Sequence, residues 1–392
     1  MNLSKLFRKR PAVPVQVESS VSDARKVARK VTPPASSANQ SISCLSKELD
    51  KQRSLRSLAT LFKQFSRRRS FRQHQGIYHV VVRRLASAGS HDLIEEILED
   101  QKQYDDIFQE GFNARLIALY GKSQMYDQAK KVFDEMPGRN CSWTVLSFNS
   151  LLGAALHSNK SEECLKLFVD IPMEPDVVSY GTLMKSLIQE ERLDLAVSML
   201  FKMEDRGLTP NLTCYNIVLH GLYKHQKSEL GDKIWDLMIE NNVQPSVVSY
   251  TSKAIGYALG GDDAAELIES MEEEGIKPDI VFFESLISNY VHQNNLEEAK
   301  RWHNLAQEEN MKFTKGCYED LVRLACEKSD STFAFQLAKY VFIRSFPVDE
   351  TTLQHVVDCL VREGRIHEAE EVVRLGKDND FCRFYLKCNK KH

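Results

Sequence analysis

The sequence predicts an all-α chain, a solenoid built from about nine helix-turn-helix repeats. Three observations predict it. The phrase PDVVSYGTL at Pro175–Leu183 returns as PNLTCYNIV at Pro210–Val218, PSVVSYTSK at Pro245–Lys253 and PDIVFFESL at Pro278–Leu286, at offsets of 35, 35 and 33 residues. Apolar residues recur at helical spacing between these marks, as in Leu183 and Leu187, then Leu195, Met199, Leu200 and Met203. An aromatic residue and a small residue also return at fixed places in the period. Self-similarity at such a period is the signature of stacked hairpins, none of which can bury its apolar face alone.

In chain order, the leader comes first. Residues 1–45 read as a mitochondrial transit peptide and disordered leader: Met1 to Val17 has no acid, carries Lys5, Arg8, Lys9 and Arg10, and spaces Leu3, Leu6 and Phe7 at helical intervals. Such an amphipathic, acid-poor start suits import toward the negative matrix. Chloroplast import is the competing destination, disfavoured because Ser and Thr are sparse in that stretch. Residues 46–74 read as a basic amphipathic helical segment. Its Leu55–Arg72 stretch, LRSLATLFKQFSRRRSFR, is usable against RNA phosphate or as the start of the fold. Arg67, Arg68, Arg69 and Arg72 are its candidate phosphate contacts.

The repeat array then spans 75–384, divided as 75–109, 110–144, 145–176, 177–211, 212–246, 247–279, 280–314, 315–349 and 350–384, and a basic tail, 385–392, follows. Position 4 is aromatic at Tyr78, Phe148, Tyr180, Tyr215, Tyr250, Phe283 and Tyr318, with Asn113 and Leu353 the exceptions. Position 20 is small at Ala129, Cys164, Ala196, Gly231, Ala264, Ala299, Ala334 and Ala369, with Ile94 the exception. Two antiparallel helices approach closely where one offers a small side chain, and the aromatic fills the layer beside it. Gly207 with Pro210, and Gly275 with Pro278, stop the second helix and turn the chain into the next repeat.

Composition narrows the function. Apolar runs are broken by charge every few residues, so no membrane span fits. The nine cysteines are scattered without a C-x-x-C, which points to reduced, buried thiols rather than zinc or disulfides. No phosphate loop, H-E-x-x-H or G-x-S-x-G appears, so the expectation is a non-enzyme without metal, cofactor or small-molecule substrate. The net charge of −3 hides an asymmetry: residues 1–72 carry +13 and the remainder −16. Many acids, such as Glu272–Glu274, fall in second helices and are expected on a solvated outer face.

The pattern V-V-S-Y-x-T-L…E-x-x-G-x-x-P-D, seen over Val177–Asn211 and Val247–Asp279, resembles the P-class pentatricopeptide repeat of plant organelle proteins. The tetratricopeptide alternative would open on W-x-x-L-G-x-x-Y, which no repeat shows. QKQYDDI at Gln101–Ile107, EGFNARLIALYGK at Glu110–Lys122, AKKVFDEMPGRNC at Ala129–Cys141 and VLSFNSLL at Val145–Leu152 are similar to short plant mitochondrial members associated with the small subunit of the mitochondrial ribosome.

The resemblance implies a right-handed superhelix that binds single-stranded mRNA or rRNA one base per repeat. It also implies that positions 5 and 35 choose the base while position 2 packs against its face. On this sequence those positions give Asn149 with Asp176 for uracil, Asn216 with Ser246 for cytosine and Thr251 with Asp279 for guanine. Gly181 with Asn211 lies between them and lacks a side chain at position 5. Leu146, Val178, Thr213 and Val248 are the stacking candidates. Elsewhere the pattern fails: His79/Gln109, Ala114/Thr144, Glu284/Thr314 and Glu319/Asp349 are not recognisable pairs, Gly76, Gly111 and Gly316 offer no wedge, and two acids at position 5 would repel phosphate. The expected role is therefore an RNA-facing scaffold in the mitochondrial matrix. The alternative is an accessory component of the mitoribosomal small subunit, holding rRNA and proteins by shape.

Overall fold

The computed structural model describes residues 41–170, 173–261, 264–343, 348–378 and 385–388. The expected transit peptide falls outside the described residues apart from its last five positions. Those five already belong to the fold. Helix α1 (Ile42–Lys51) starts inside the expected leader, where the Ser41 hydroxyl accepts from the Cys44 amide, and it buries Leu45 and Leu49. Two apolar residues one turn apart give it a face to dock, which moves the start of the fold earlier than composition indicated.

The expected basic helix is two helices, α2 (Leu55–Ser66) and α3 (Arg69–Arg72), parted at Arg67 and Arg68. Leu58, Ala59, Phe62, Phe65 and Phe71 are buried, and Phe62 meets Phe71 and Tyr78 edge-on at 5.5 and 4.9 Å. Of the two uses open to this stretch, its apolar side serves as the start of the fold.

Among the described residues, nine hairpins follow. The first four are α4 (Gln75–Ser87) with α5 (His91–Asp100), α6 (Glu110–Lys122) with α7 (Tyr126–Glu135), α8 (Val145–His157) with α9 (Ser161–Asp170), and α10 (Val177–Gln189) with α11 (Leu193–Asp205). Next come α12 (Leu212–Lys224) with α13 (Ser228–Glu240), α14 (Val247–Gly260) with α15 (Ala265–Glu273), and α16 (Ile280–His292) with α17 (Leu296–Glu308). The last two are α18 (Lys315–Glu327) with α19 (Ser331–Ile343) and α20 (Glu350–Arg362) with α21 (Ile366–Lys377). Among the described residues there is no strand, and no helix is long and apolar enough to cross a membrane.

The described residues form two compact units that divide between Ile217 and Val218. In the first, α4 packs on α6, α6 on α8 and α8 on α10, while α7 and α9 each lie against their own first helix and the next one. In the second, α14, α16, α18 and α20 pack in succession in the same way. Each unit is thus a stretch of α-solenoid, with first helices in one layer and second helices in the other.

The recurring residues hold these layers. All the position-4 aromatics are buried, and so are the eight small residues at position 20. The tightest approach is at Gly121 of α6, where a Cβ would lie 2.4 Å from the Ala154 Cα of α8. A second regularity escaped the sequence. The turn inside every hairpin places one residue in the left-handed region: Gly89, Gln124, Asn159, Glu191, Gln226, Gly261, Asn294, Ser329 and Gly364. That conformation closes the turn, and six of the nine turns impose it on a residue with a Cβ.

Candidate nucleic-acid interface

The residues at the end of each repeat are helix caps before they are anything else. The Asp176 carboxylate accepts from the Ser179 amide at 2.8 Å at the head of α10. Asn211 accepts from Cys214 at 3.1 Å and Asp279 from Phe282 at 2.9 Å, and Ser246 forms a capping box with Ser249. Asp, Asn and Ser are the residues a helix start selects. Their presence at position 35 is therefore accounted for without RNA.

Position 5 reaches the same place. The Asn149 amide donates to Asp176 Oδ1 at 3.0 Å, and its carbonyl accepts from the Ser179 hydroxyl at 2.6 Å. Burial raises the Asp176 pKa, but hydrogen bonds from the Ser179 amide, Asn149 and the Ser179 hydroxyl outweigh it and hold the carboxyl below its ordinary value. The acids at position 5 do equivalent work. Glu284 accepts from the Thr314 amide, and Glu319 accepts from the Asp349 amide at 3.3 Å and the Thr352 hydroxyl at 3.4 Å. Where Ala114 leaves position 5 empty, Glu110 binds the amides and hydroxyls of Thr144 and Ser147 instead. Carboxylates placed on the positive ends of helices stitch neighbouring repeats together.

The pairs at Thr251 and Gly181 are not assembled in this manner. Thr251 is 8% exposed and donates to the Val247 carbonyl of its own helix at 2.8 Å, and no hydrogen bond joins it to Asp279. Gly181 is buried, with space beside it closed by Ile217 at 3.4 Å from a notional Cβ. Asn216 belongs to the first unit and Ser246 to the second.

The stacking positions are well presented. Leu146, Val178 and Val248 are 51–60% exposed, and Thr213 is exposed as well. Val281 is 56% exposed at the same place in its repeat, and the sequence reading overlooked it although PDIVFFESL aligns it with Val178 and Val248. Large apolar side chains standing in solvent at one repeating position have no packing role.

The basic cluster needs a correction. Arg72, expected to reach phosphate, is buried: its Nε and Nη2 donate to Asp106 at 2.7 and 2.5 Å, Nη1 donates to the Ser66 carbonyl at 2.8 Å, and the guanidinium lies 4.2 Å from the Tyr104 ring centre. It locks α3 to the end of the first hairpin. Arg67 and Arg69 are exposed, and Arg68 is partly covered.

Cations appear instead on the first helices. In the first unit α4, α6, α8 and α10 carry Arg83, Arg84, Arg115, Lys122 and Lys185 against one acid, Glu110. Helices α5, α7, α9 and α11 carry fourteen acids against four lysines. Arg84 is spent on the carbonyls ending α1 and Arg115 on the Arg72 carbonyl, which leaves Arg83, Lys122 and Lys185 exposed. Their field registers on the histidines between them. Burial, then Lys122 and Lys185, lower the His157 pKa; burial, then Lys122 and Arg115, lower that of His79.

The second unit lacks this layering. Its Lys315 and Arg323 pair with Asp349 and Asp320, and Lys253 lies over the Trp235 ring. Among the described residues no group of His, Cys, Asp and Glu could hold a metal ion. Cys141, Cys164, Cys214 and Cys359 are buried as expected, whereas Cys44 is exposed.

Comparison with known proteins agrees with this architecture. Models described as PPR repeat family match residues 175–224 and 210–258, a pentatricopeptide repeat domain matches 266–314, and a PPR repeat matches 115–141 and 146–174. An Arabidopsis thaliana protein named small ribosomal subunit protein mS78 (rPPR3a) is 40% identical over 48% of this chain, and the match spans 46% of that relative, less than half its length. A mitochondrial pentatricopeptide repeat-containing protein of the same plant is 28% identical over 76% of this chain and 72% of its own. Among solved structures, the crystal structure of the maize pentatricopeptide repeat protein PPR10 superposes with a TM-score of 0.54 over 87% of this chain and 49% of that one, at 18% identity, a likeness of fold alone. With the hairpin period, the buried aromatic and small positions and these matches together, the hairpins within residues 115–314 are pentatricopeptide repeats.

Proposed function

We propose that this protein is a non-catalytic RNA-binding scaffold of mitochondrial gene expression, working in the matrix on single-stranded mRNA or rRNA. One observation carries the proposal: in the first unit the first-helix layer is positive and the second-helix layer negative, although the folded part of the chain is acidic as a whole. Phosphate needs local cations rather than a favourable average. Arg83, Lys122 and Lys185 supply them, with Arg67 and Arg69 as candidates at the entrance to the array. Leu146, Val178, Thr213 and Val248, together with Val281, would wedge beside bases. Asn149 with Asp176 is the pair best placed to read one, because its amide and carboxylate already lie side by side.

The test is binding of a labelled single strand by the purified chain, with duplex of the same sequence as competitor. Retention of the single strand against excess duplex is expected. Equal competition by duplex would sink the proposal, since stacking sites cannot use paired bases.

A second reading has its own support in the relative that bears a small ribosomal subunit name. On this reading the chain is an accessory part of the mitoribosomal small subunit, and the second unit, with its paired charges, faces protein. Sedimentation of mitochondrial extracts separates the two. Comigration with the small subunit favours the second reading, and recovery only in small RNase-sensitive particles removes it.

A further inference from the structure

The residue before the last in its repeat is half-buried at Pro278 and, in five repeats, buried in the interior. Pro175, Pro210 and Pro245 are buried there, and so are Phe313 and Val348, while Trp143 stacks on Phe133 at 5.5 Å. Phe108 occupies the same place in the first repeat and is 56% exposed. The cause is local. Residues Asp105–Phe108 form a 3-10 turn that seats Ile107 in the interior, one residue earlier than in the other repeats. Asn113, which replaces the position-4 aromatic, fixes that turn by donating to the carbonyls of Ile107 at 2.6 Å and Gln109 at 3.1 Å. The benzyl group is thereby held outside, where burial would ordinarily stabilise a phenylalanine.

Its surroundings say what could cover it. Three residues on is Gly111 at position 2, and a Cβ there would meet nothing within 4 Å; Gly76 is open in the same way. These are two of the three repeats in which a glycine, Gly316 being the third, leaves a gap in the row of exposed apolar side chains represented by Leu146 and Val178. Phe108 comes just before the first helix of its repeat, at the end where those side chains stand; the exposed Lys122 is at the opposite end of that helix. A single ring beside an open glycine is too small for a protein docking patch. An exposed aromatic ring in line with the stacking positions of neighbouring repeats is, by contrast, a platform for an unpaired base, because every base has a face to stack.

We propose that Phe108 stacks on one base of the bound single strand and fills the gap left by Gly111. This rests on the RNA-binding reading and adds a contact outside positions 2, 5 and 35. The test compares the wild-type chain with Phe108→Ala, Phe108→Leu and Phe108→Trp. Phe108→Ala should weaken single-strand binding by roughly 5- to 100-fold, as loss of one stacked base does. Its melting temperature should stay unchanged, because the ring is outside the interior. Phe108→Trp should keep the affinity and add indole fluorescence that RNA quenches, above the background of Trp143, Trp235 and Trp302.

Wild-type-like affinity in Phe108→Ala overturns the inference and leaves the RNA-binding reading intact. Full affinity in Phe108→Leu shows a plain apolar contact and overturns stacking, and a melting temperature lowered in Phe108→Ala shows a packing role and does the same. Failure of the wild-type chain to bind the strand removes the RNA-binding reading, and the inference with it.

Discussion

Removing the Arg72 side chain separates the two roles that its sequence context allows. The guanidinium and the Asp106 carboxylate are 8% and 10% exposed as side chains, and both guanidinium bonds to Asp106 end on the same oxygen, Oδ2. Arg72→Ala would leave that carboxylate buried without its partner, a loss of about 3–5 kcal/mol for a broken buried pair. Asp106→Ala should cost less, about 2–3 kcal/mol, because the guanidinium keeps the Ser66 and Arg67 carbonyls and the Tyr104 ring. The double variant should fall short of the sum by about 1–3 kcal/mol, the coupling of two groups in direct contact. Repeat arrays lose structure from their ends. The assay is therefore hydrogen exchange resolved at the amides of α2 to α4 alongside urea unfolding, and protection should collapse there first. If Arg72→Ala left stability untouched and weakened RNA binding instead, the structural role would be wrong and the phosphate contact read from the Arg-rich run would be right.

Two further outcomes follow from single residues. His303 is buried against Phe313, Tyr318 and Phe333, and burial pushes its pKa down to about 4 from 6.5. The folded state thus binds fewer protons than the unfolded one, so this stability is complete above about pH 6.5 and fades as pH falls toward 4. Urea unfolding of the second unit should lose about 2 kcal/mol between pH 7 and pH 5 from this group, and His303→Phe should flatten that slope. At the hairpin turns, Gln124 and Ser329 hold φ of 59°. Gln124→Gly or Ser329→Gly should relieve about 1 kcal/mol of left-handed strain, less the entropy glycine adds to the unfolded chain, and raise the melting temperature. A lowered one would show that the native side chain makes a contact worth more than the strain.

The architecture was legible because packing fixes residue identity. A small residue where helices cross and an aromatic beside it admit few substitutes, so Tyr180 and Ala196 announce themselves. The turn at position 15 does not, because nine hairpins close it with five residue types. What matters there is a backbone conformation rather than a side chain. Position 35 was misleading for a different reason: helix capping and base recognition select the same small polar residues, so Asp176 and Asp279 look alike although only Asp176 is bonded to its position-5 partner. Arg72 was misassigned because its acidic partner, Asp106, is 34 residues away. Lys122 and Lys185 went unremarked because a charge total averages the two helix layers. Phe108 was hidden by a one-residue shift in a short turn.

In the proposed function, exposed cations on the first helices of the first unit hold RNA phosphate. The salt dependence of single-strand affinity counts those contacts. Each phosphate contact contributes about −0.7 to the slope of log affinity against log salt concentration. The triple variant Arg83→Ala, Lys122→Ala and Lys185→Ala should therefore give a slope shallower by about 2 and weaker binding at low salt. An unchanged slope in that variant would show that these cations hold no phosphate and place the phosphate contacts elsewhere on the chain.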